Sequence, residues 1–178
     1  MAAVLALDDE KVEMVCEQTD GIVVAANYNC PGQLVISGSV KGIEVACEQM
    51  KAAGAKRALI LPVSAPFHSQ LMRPAAEKFA EAVAALNWQA PQIALVQNVT
   101  AAVPADLDSL KRDLLAQLYS PVRWVETIVL LAEQGVTDLV ECGPGKVLAG
   151  LNKRCVKGIN THNLETPDAF VAVRAALV

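Results

Sequence analysis

The first third of the chain alternates short apolar runs with amphipathic segments. Four apolar runs predict buried strands: residues 2–7, 22–26, 33–37 and 57–63. Two amphipathic segments between them predict helices: residues 8–19 and 40–53. Asp8 and Asp9 supply carboxylates for the start of the first helix, and Gly54 ends the second. The Asn, Pro and Gly residues at 27–32 predict a hairpin between the second and third strands.

This order, βαββαβ, is the split pattern of ferredoxin-like domains, and it predicts such a subdomain over residues 1–64. Residues 65–178 have a different pattern, in which helices dominate. The predicted helices are residues 73–86, 107–119 and 122–134, one after the glycines at 143 and 145, and one that begins at Thr166 and Pro167. The predicted strands are residues 93–97 and 138–141.

Strands that alternate with helices are expected in a parallel sheet, so the whole chain is predicted to be α/β. Two or three strands would leave that sheet incompletely covered. We therefore predict that residues 65–178 share a sheet with polypeptide outside this sequence; a small, complete three-layer domain is the alternative.

Composition narrows the class of protein. Hydrophobic residues make up 53% of the chain and aromatic residues only 4%, so the core must be built from Ala, Val and Leu. The apolar runs are far shorter than the ~20 residues that a membrane span needs. A net charge of −4, with its charges dispersed along the chain, argues against nucleic acid as a partner. Five widely spaced cysteines without a CxxC motif are typical of reduced thiols in a cytoplasmic protein.

His68 is the main candidate for chemistry, because it lies in a Ser/Pro-rich break between an apolar strand and a helix. Only one other histidine, His162, is present. The positive end of the following helix would disfavour the imidazolium form, which suits a neutral general base. A histidine packed into a loop without a catalytic role is the alternative interpretation.

A general base also needs a partner on its second ring nitrogen, which sets the tautomer. The helix predicted before Pro121 leaves its last carbonyls without partners inside the helix, and Gln117 lies in that final turn. A carbonyl there would orient an imidazole without the negative charge of an aspartate. A helix end capped by water is the alternative.

Two other kinds of site are excluded by spacing. The glycine-rich residues 142–147 follow a predicted strand, but they lack the four-residue spacer and the Ser or Thr of a phosphate-binding loop. No His, Cys, Asp and Glu residues have the spacing of metal ligands, so no metal site is predicted.

Four ordered segments carry a family resemblance. They are residues 27–38 (NYNCPGQLVISG), 63–72 (VSAPFHSQLM), 117–124 (QLYSPVRW) and 141–148 (ECGPGKVL). Together they resemble the bacterial malonyl-CoA:acyl carrier protein transacylases. The acyltransferase domains of polyketide and fatty-acid synthases are related to that family.

The resemblance implies a serine that takes malonyl from malonyl-CoA as an ester and passes it to the phosphopantetheine thiol of acyl carrier protein, for fatty acid synthesis. It implies that His68 activates the serine and that the main-chain carbonyl of Gln117 holds the His68 ring. Phe67 would line the acyl pocket and leave little room for a methyl branch, which favours malonyl over methylmalonyl. No cofactor is implied.

Three further substrate-binding residues follow from the resemblance. Asn29, Lys56 and Arg57 match positions near the cleft, where they are expected to meet the pantetheine arm, the phosphates of coenzyme A or the acidic carrier protein. For the two cations, ordinary solvated surface is the alternative.

The sequence departs from the family in one important respect. Family members carry a GxSxG elbow with the serine, and an arginine that pairs with the malonyl carboxylate, and neither can be placed here. The chain is therefore expected to be a C-terminal portion, with a ferredoxin-like subdomain and part of an α/β-hydrolase-like core, to need the N-terminal half as a partner and to be inactive alone. A polyketide synthase portion, or a non-catalytic module that binds carrier protein or coenzyme A, is the alternative.

Overall fold

The computed structural model describes residues 1–177. The chain divides into two units, Met1–Thr127 and Ile128–Val178, and the division falls inside a helix. The first unit begins with β1 (Ala2–Leu5), α1 (Asp9–Gln18), β2 (Val23–Cys30), β3 (Gln33–Gly38), α2 (Val40–Ala52) and β4 (Arg57–Ile60). These six elements confirm the predicted order βαββαβ.

The four strands form one sheet in the order β2-β3-β1-β4, with every neighbouring pair antiparallel. Strand β2 is longer than predicted and continues to Cys30, so that Pro31 and Gly32 alone make the hairpin turn. Gly32 has φ +71°, a conformation that favours glycine. Two irregularities in the pairing of β2 with β3 allow the longer strand to follow its neighbour.

The core of this unit lies between the sheet and the two helices. The largest fully buried apolar side chains there are Leu34, Ile36, Met50, Val4 and Val12. Ser39 begins α2 as its N-cap, because its hydroxyl accepts a hydrogen bond from the Gly42 N–H. Asp8 occupies the same position before α1, but its side chain makes no capping hydrogen bond.

The five cysteines form no disulfide within residues 1–177, and their exposure differs widely. Cys142 is exposed, whereas Cys16 is buried, and burial, with smaller contributions from Glu13 and Glu17, raises the pKa of the Cys16 thiol to about 12. Because the thiolate is the reactive form, we expect iodoacetamide at pH 8 to label Cys142 at least about 100-fold faster than Cys16. Mass spectrometry of digests taken over time measures both rates. The variant Cys142→Ser identifies the fast site, and rapid labelling of Cys16 would contradict the prediction.

The regular elements in the rest of the first unit are helical. It contains a 3₁₀ turn (Gln70–Met72), α3 (Arg73–Ala85) and α4 (Leu107–Ala116), and α5 (Trp124–Glu133) begins within it. The strand predicted over residues 93–97 is wrong: these residues lie outside regular structure, and only Gln97 forms a single bridge, with Ala102. An isolated β-prone segment gains little without a neighbouring strand. Ile93 is accordingly 82% exposed.

The second unit contains β5 (Asp138–Glu141), α6 (Val147–Cys155), β6 (Asn160–Asn163) and α7 (Pro167–Leu177). Strands β5 and β6 pair in parallel, as expected for strands that alternate with helices. Strand β6 was not predicted, because its residues are polar. The fold is therefore α/β, with an antiparallel sheet and a parallel pair. No helix within residues 1–177 is long and apolar enough to cross a membrane.

Candidate active site

His68 lies on the irregular segment that leads from β4 to α3, and its backbone has φ +60°. A side-chain-bearing residue rarely adopts this left-handed conformation unless other contacts hold it there. Two hydrogen bonds do so. The His68 N–H donates to the Leu118 carbonyl at 3.0 Å, and ring atom Nδ1 lies 2.8 Å from the Gln117 carbonyl oxygen.

The second contact sets the protonation pattern of the ring. A carbonyl oxygen can only accept, so Nδ1 of His68 must carry the hydrogen. In the neutral imidazole, Nε2 then has a free lone pair and can accept a proton. The side chain is partly buried, which limits its rotation without closing it off from ligand. An imidazole oriented in this way can act as a general base through Nε2.

The dipole of α3 acts on the His68 ring less directly than the sequence predicts. α3 begins at Arg73, and the 3₁₀ turn Gln70–Met72 separates it from His68. The adjacent Ser69 is 1% exposed, and its hydroxyl donates to the Pro66 carbonyl at 2.7 Å. Ser69 therefore stabilises the turn that presents His68. Sequence analysis missed this role, although a serine at the head of a turn is the usual signal for it.

The carbonyl of Gln117 is available because α4 ends at Ala116, three residues earlier than predicted. The Gln117 amide then folds over the turn, and its Nε2 donates to the carbonyls of Ser120 at 3.0 Å and Pro121 at 3.2 Å. Val122 next pairs with the edge of β2: its N–H donates to Ala26, and its carbonyl accepts from Tyr28. The turn that faces His68 is thus attached to the sheet.

The other candidates are placed differently. Phe67 precedes His68 and is 39% exposed, as a pocket-lining residue would be. Asn29 is partly buried on β2, two residues beyond Asn27, which bridges to Val122. Lys56 and Arg57 are exposed at the start of β4, opposite the end that leads to His68. The structure brings His68, Gln117 and Phe67 together, and it leaves the two cations apart from them.

Protein carboxylates bind three amides in the glycine-rich loop and at the start of α6. The Glu141 carboxylate accepts the N–H groups of Leu148 at 3.1 Å and Ala149 at 2.8 Å, at the start of α6. Glu165 accepts the Gly145 N–H at 3.2 Å. Protein carboxylates occupy the positions that an anionic ligand would need.

His162, the second histidine, belongs to a different arrangement. Its Nε2 lies 2.9 Å from Asp138, which also accepts from Thr137 at 2.8 Å and from Asn160 at 3.1 Å. These hydrogen bonds, His162 first, lower the pKa of Asp138. The contacts link β5 to β6, so they stabilise the parallel pair. Among residues 1–177, no three His, Cys, Asp or Glu side chains come together as metal ligands.

Comparison with known proteins adds the following. No protein-family model matches the chain. A malonyl CoA-acyl carrier protein transacylase from Escherichia coli strain K12 is 45% identical over 97% of this chain and 56% of its own length. One from Bacillus subtilis strain 168 is 45% identical over 96% of this chain and 55% of its own length. The chain thus spans little more than half the length of these curated relatives.

Solved transacylase structures also match nearly all of this chain and little more than half of their own length. A malonyl-CoA:acyl carrier protein transacylase from Xanthomonas oryzae has a TM-score of 0.95 and 43% identity, and the match covers 98% of this chain and 56% of that one. A malonyl-transacylase in complex with a type II polyketide synthase acyl-carrier protein has a TM-score of 0.93 and 40% identity, with coverage of 98% and 57%.

Proposed function

Because the relatives of this chain are malonyl CoA-acyl carrier protein transacylases, we propose that it is the C-terminal portion of such an enzyme and supplies the general base. The reaction is transfer of malonyl from malonyl-CoA to the phosphopantetheine thiol of acyl carrier protein, in fatty acid synthesis. The observation that carries the proposal is the contact between His68 Nδ1 and the Gln117 carbonyl, which leaves Nε2 free. The serine and the arginine that pairs with malonyl come from the N-terminal half of the enzyme.

His68 acts in both halves of the reaction. Nε2 takes the proton of the serine hydroxyl as its oxygen attacks the malonyl thioester, and the Gln117 carbonyl stabilises the imidazolium through the Nδ1 hydrogen. The imidazolium then gives its proton to the departing thiolate of coenzyme A, so that the thiol leaves and a malonyl-serine ester remains. The carrier-protein thiol attacks that ester, loses its proton to Nε2, and serine leaves with the proton.

The substrate-binding roles rest on position. Phe67 projects beside the base and excludes an α-methyl branch, so malonyl is preferred to methylmalonyl. Asn29 contacts the pantetheine arm from β2. Lys56 and Arg57 are exposed and lie away from His68, which suits contact with distant phosphates or with an acidic carrier protein rather than with the acyl group.

The same proposal assigns the finer features of the fold. Residues 1–64 form a ferredoxin-like subdomain, supported by the strand order β2-β3-β1-β4 with antiparallel neighbours. Residues 65–178 are part of a hydrolase-like core that the N-terminal half completes. The parallel pair β5–β6 supports this assignment, as do residues 93–97, which are β-prone but belong to no strand. Cysteines that form no disulfide within residues 1–177 are compatible with a cytoplasmic enzyme.

Complementation tests the proposed function. One sample is the chain purified alone. The other is the chain co-expressed with the part of the Bacillus subtilis relative that it does not match. Transfer of labelled malonyl from malonyl-CoA to carrier protein is measured for both. We expect transfer only from the co-expressed pair, with the ester on the partner's serine. The control variant His162→Gln should retain transfer. Ester on this chain alone, or a stable pair without transfer, would contradict the proposal; the latter would favour a binding module.

A further inference from the structure

Arg73 and Tyr119 form a contact beside the active-site turn. The guanidinium carbon of Arg73 lies 4.3 Å from the centroid of the Tyr119 ring, well within the range of a cation–π interaction. Arg73 is the first residue of α3, and Tyr119 lies two residues after Gln117. The contact therefore joins the start of one helix to the turn that follows another.

That turn carries both carbonyls that hold His68. The Gln117 carbonyl accepts from the ring, and the Leu118 carbonyl accepts from the backbone. Tyr119 is the next residue, and its N–H donates to Ala116 at 3.1 Å, which tightens the chain as α4 ends. A displacement of the Tyr119 backbone would move the Leu118 carbonyl, because that carbonyl carbon is bonded to the Tyr119 nitrogen.

Main-chain hydrogen bonds tighten as α4 ends: the Gln117 N–H donates to Asp113 at 2.9 Å, and the Leu118 N–H donates to Leu115 at 3.2 Å. Helix ends fray unless side chains also restrain them. The Gln117 amide and the pairing of Val122 with β2 hold the far side of the turn. Arg73 is the restraint on the side that faces α3, close to the 3₁₀ turn after His68.

We propose that Arg73 and Tyr119 are positioning residues, which hold the turn at residues 117–119 so that its carbonyls keep the His68 ring in one orientation and one tautomer. The inference rests on the proposed function for its catalytic meaning. The orientation and tautomer of the His68 imidazole can themselves be measured without catalysis. The strained backbone of His68 makes the restraint necessary, since a residue at φ +60° relaxes when its contacts loosen.

The test follows the His68 ring by nitrogen-15 NMR of the full chain, with His162→Gln used to assign the two histidines. The unmodified chain should show the hydrogen on Nδ1. Tyr119→Leu and Arg73→Met should lower the ratio of the Nδ1–H to the Nε2–H tautomer about two- to fivefold, the usual worth of one exposed cation–π contact. Tyr119→Phe and Arg73→Lys keep a ring and a cation, and should keep the ratio.

Two results would overturn the inference. One is an unchanged tautomer ratio in Arg73→Met and Tyr119→Leu; the other is an equal loss in Tyr119→Phe, which would implicate the hydroxyl instead. Arg73 is exposed, so Arg73→Met decides the question if Tyr119→Leu does not fold. In the co-expressed pair, the same variants should lower kcat and leave KM unchanged. If the variants change the tautomer ratio but the unmodified co-expressed pair transfers no malonyl, this inference stands and the proposed function is refuted.

Discussion

His68→Ala is expected to slow malonylation of the partner's serine by about 10²–10⁴-fold in the co-expressed pair, the usual worth of a positioned general base. The reason is geometric. The Gln117 carbonyl holds the hydrogen on Nδ1, and no other group on this turn presents a free imidazole nitrogen. Single-turnover labelling with malonyl-CoA, quenched at short times, measures the step itself.

The matched control is His162→Gln, which removes the only other imidazole of the chain. Its ring contacts Asp138 across the β5–β6 pair, so the acylation rate should stay within about twofold of the unmodified pair. A reduction of less than threefold in His68→Ala would remove His68 from the mechanism. Pull-down of the partner by each variant shows that the pair still forms.

Gly38→Ala is expected to lower the free energy of unfolding by about 3 kcal/mol, as severe overpacking does. A Cβ on Gly38 would overlap the Ile22 carbonyl oxygen and lie 2.9 Å from the Val23 Cα. Ile22 cannot move away freely, because its carbonyl accepts the Ser39 N–H at 2.8 Å, just before α2 begins. Relief of the overlap would therefore disturb the start of α2 as well as the β2–β3 pairing.

Urea denaturation followed by tryptophan fluorescence measures this effect, since both tryptophans, Trp88 and Trp124, lie in the first unit. Gly150→Ala is the control: the position is inside α6, and its added Cβ would meet no described atom within 4 Å apart from its chain neighbours and the nearby backbone of its own helix. There alanine should be neutral or stabilise by about 1 kcal/mol, because glycine is a poor helix former, and circular dichroism follows that change. A loss below about 0.5 kcal/mol in Gly38→Ala would show that the strands adjust easily.

The strands of the antiparallel sheet and the two helices packed on it could be predicted from the sequence. Each element buries one apolar face, so apolar residues recur with the period of a strand or of a helix. Apolar periodicity gave the wrong prediction for two segments. Residues 93–97 are apolar and β-prone but lack a neighbouring strand among the described residues. Residues 160–163 are polar, yet they form β6, because backbone pairing with β5 does not need apolar side chains.

The site was predictable to the extent that local chemistry determines it. Pro121 stops a helix, and a stopped helix leaves carbonyls free, so an acceptor near Gln117 could be expected from the sequence. The left-handed backbone of His68 could not be expected, because it depends on contacts with residues far along the chain. The position of Arg73 over the Tyr119 ring could not be expected either, because these residues are also far apart along the chain.

The group that orients His68 is a main-chain carbonyl, and this has a consequence for mutagenesis. Any amino acid at position 117 brings a carbonyl, so an alanine scan replaces the Gln117 side chain and leaves the acceptor itself in place. Such a scan measures only the amide that braces the turn. Weakening the acceptor itself requires an edit to the backbone, such as an ester in place of the amide between Gln117 and Leu118, because an ester carbonyl accepts less strongly than an amide carbonyl. A survey of conserved side chains would therefore overlook the carbonyl that orients His68.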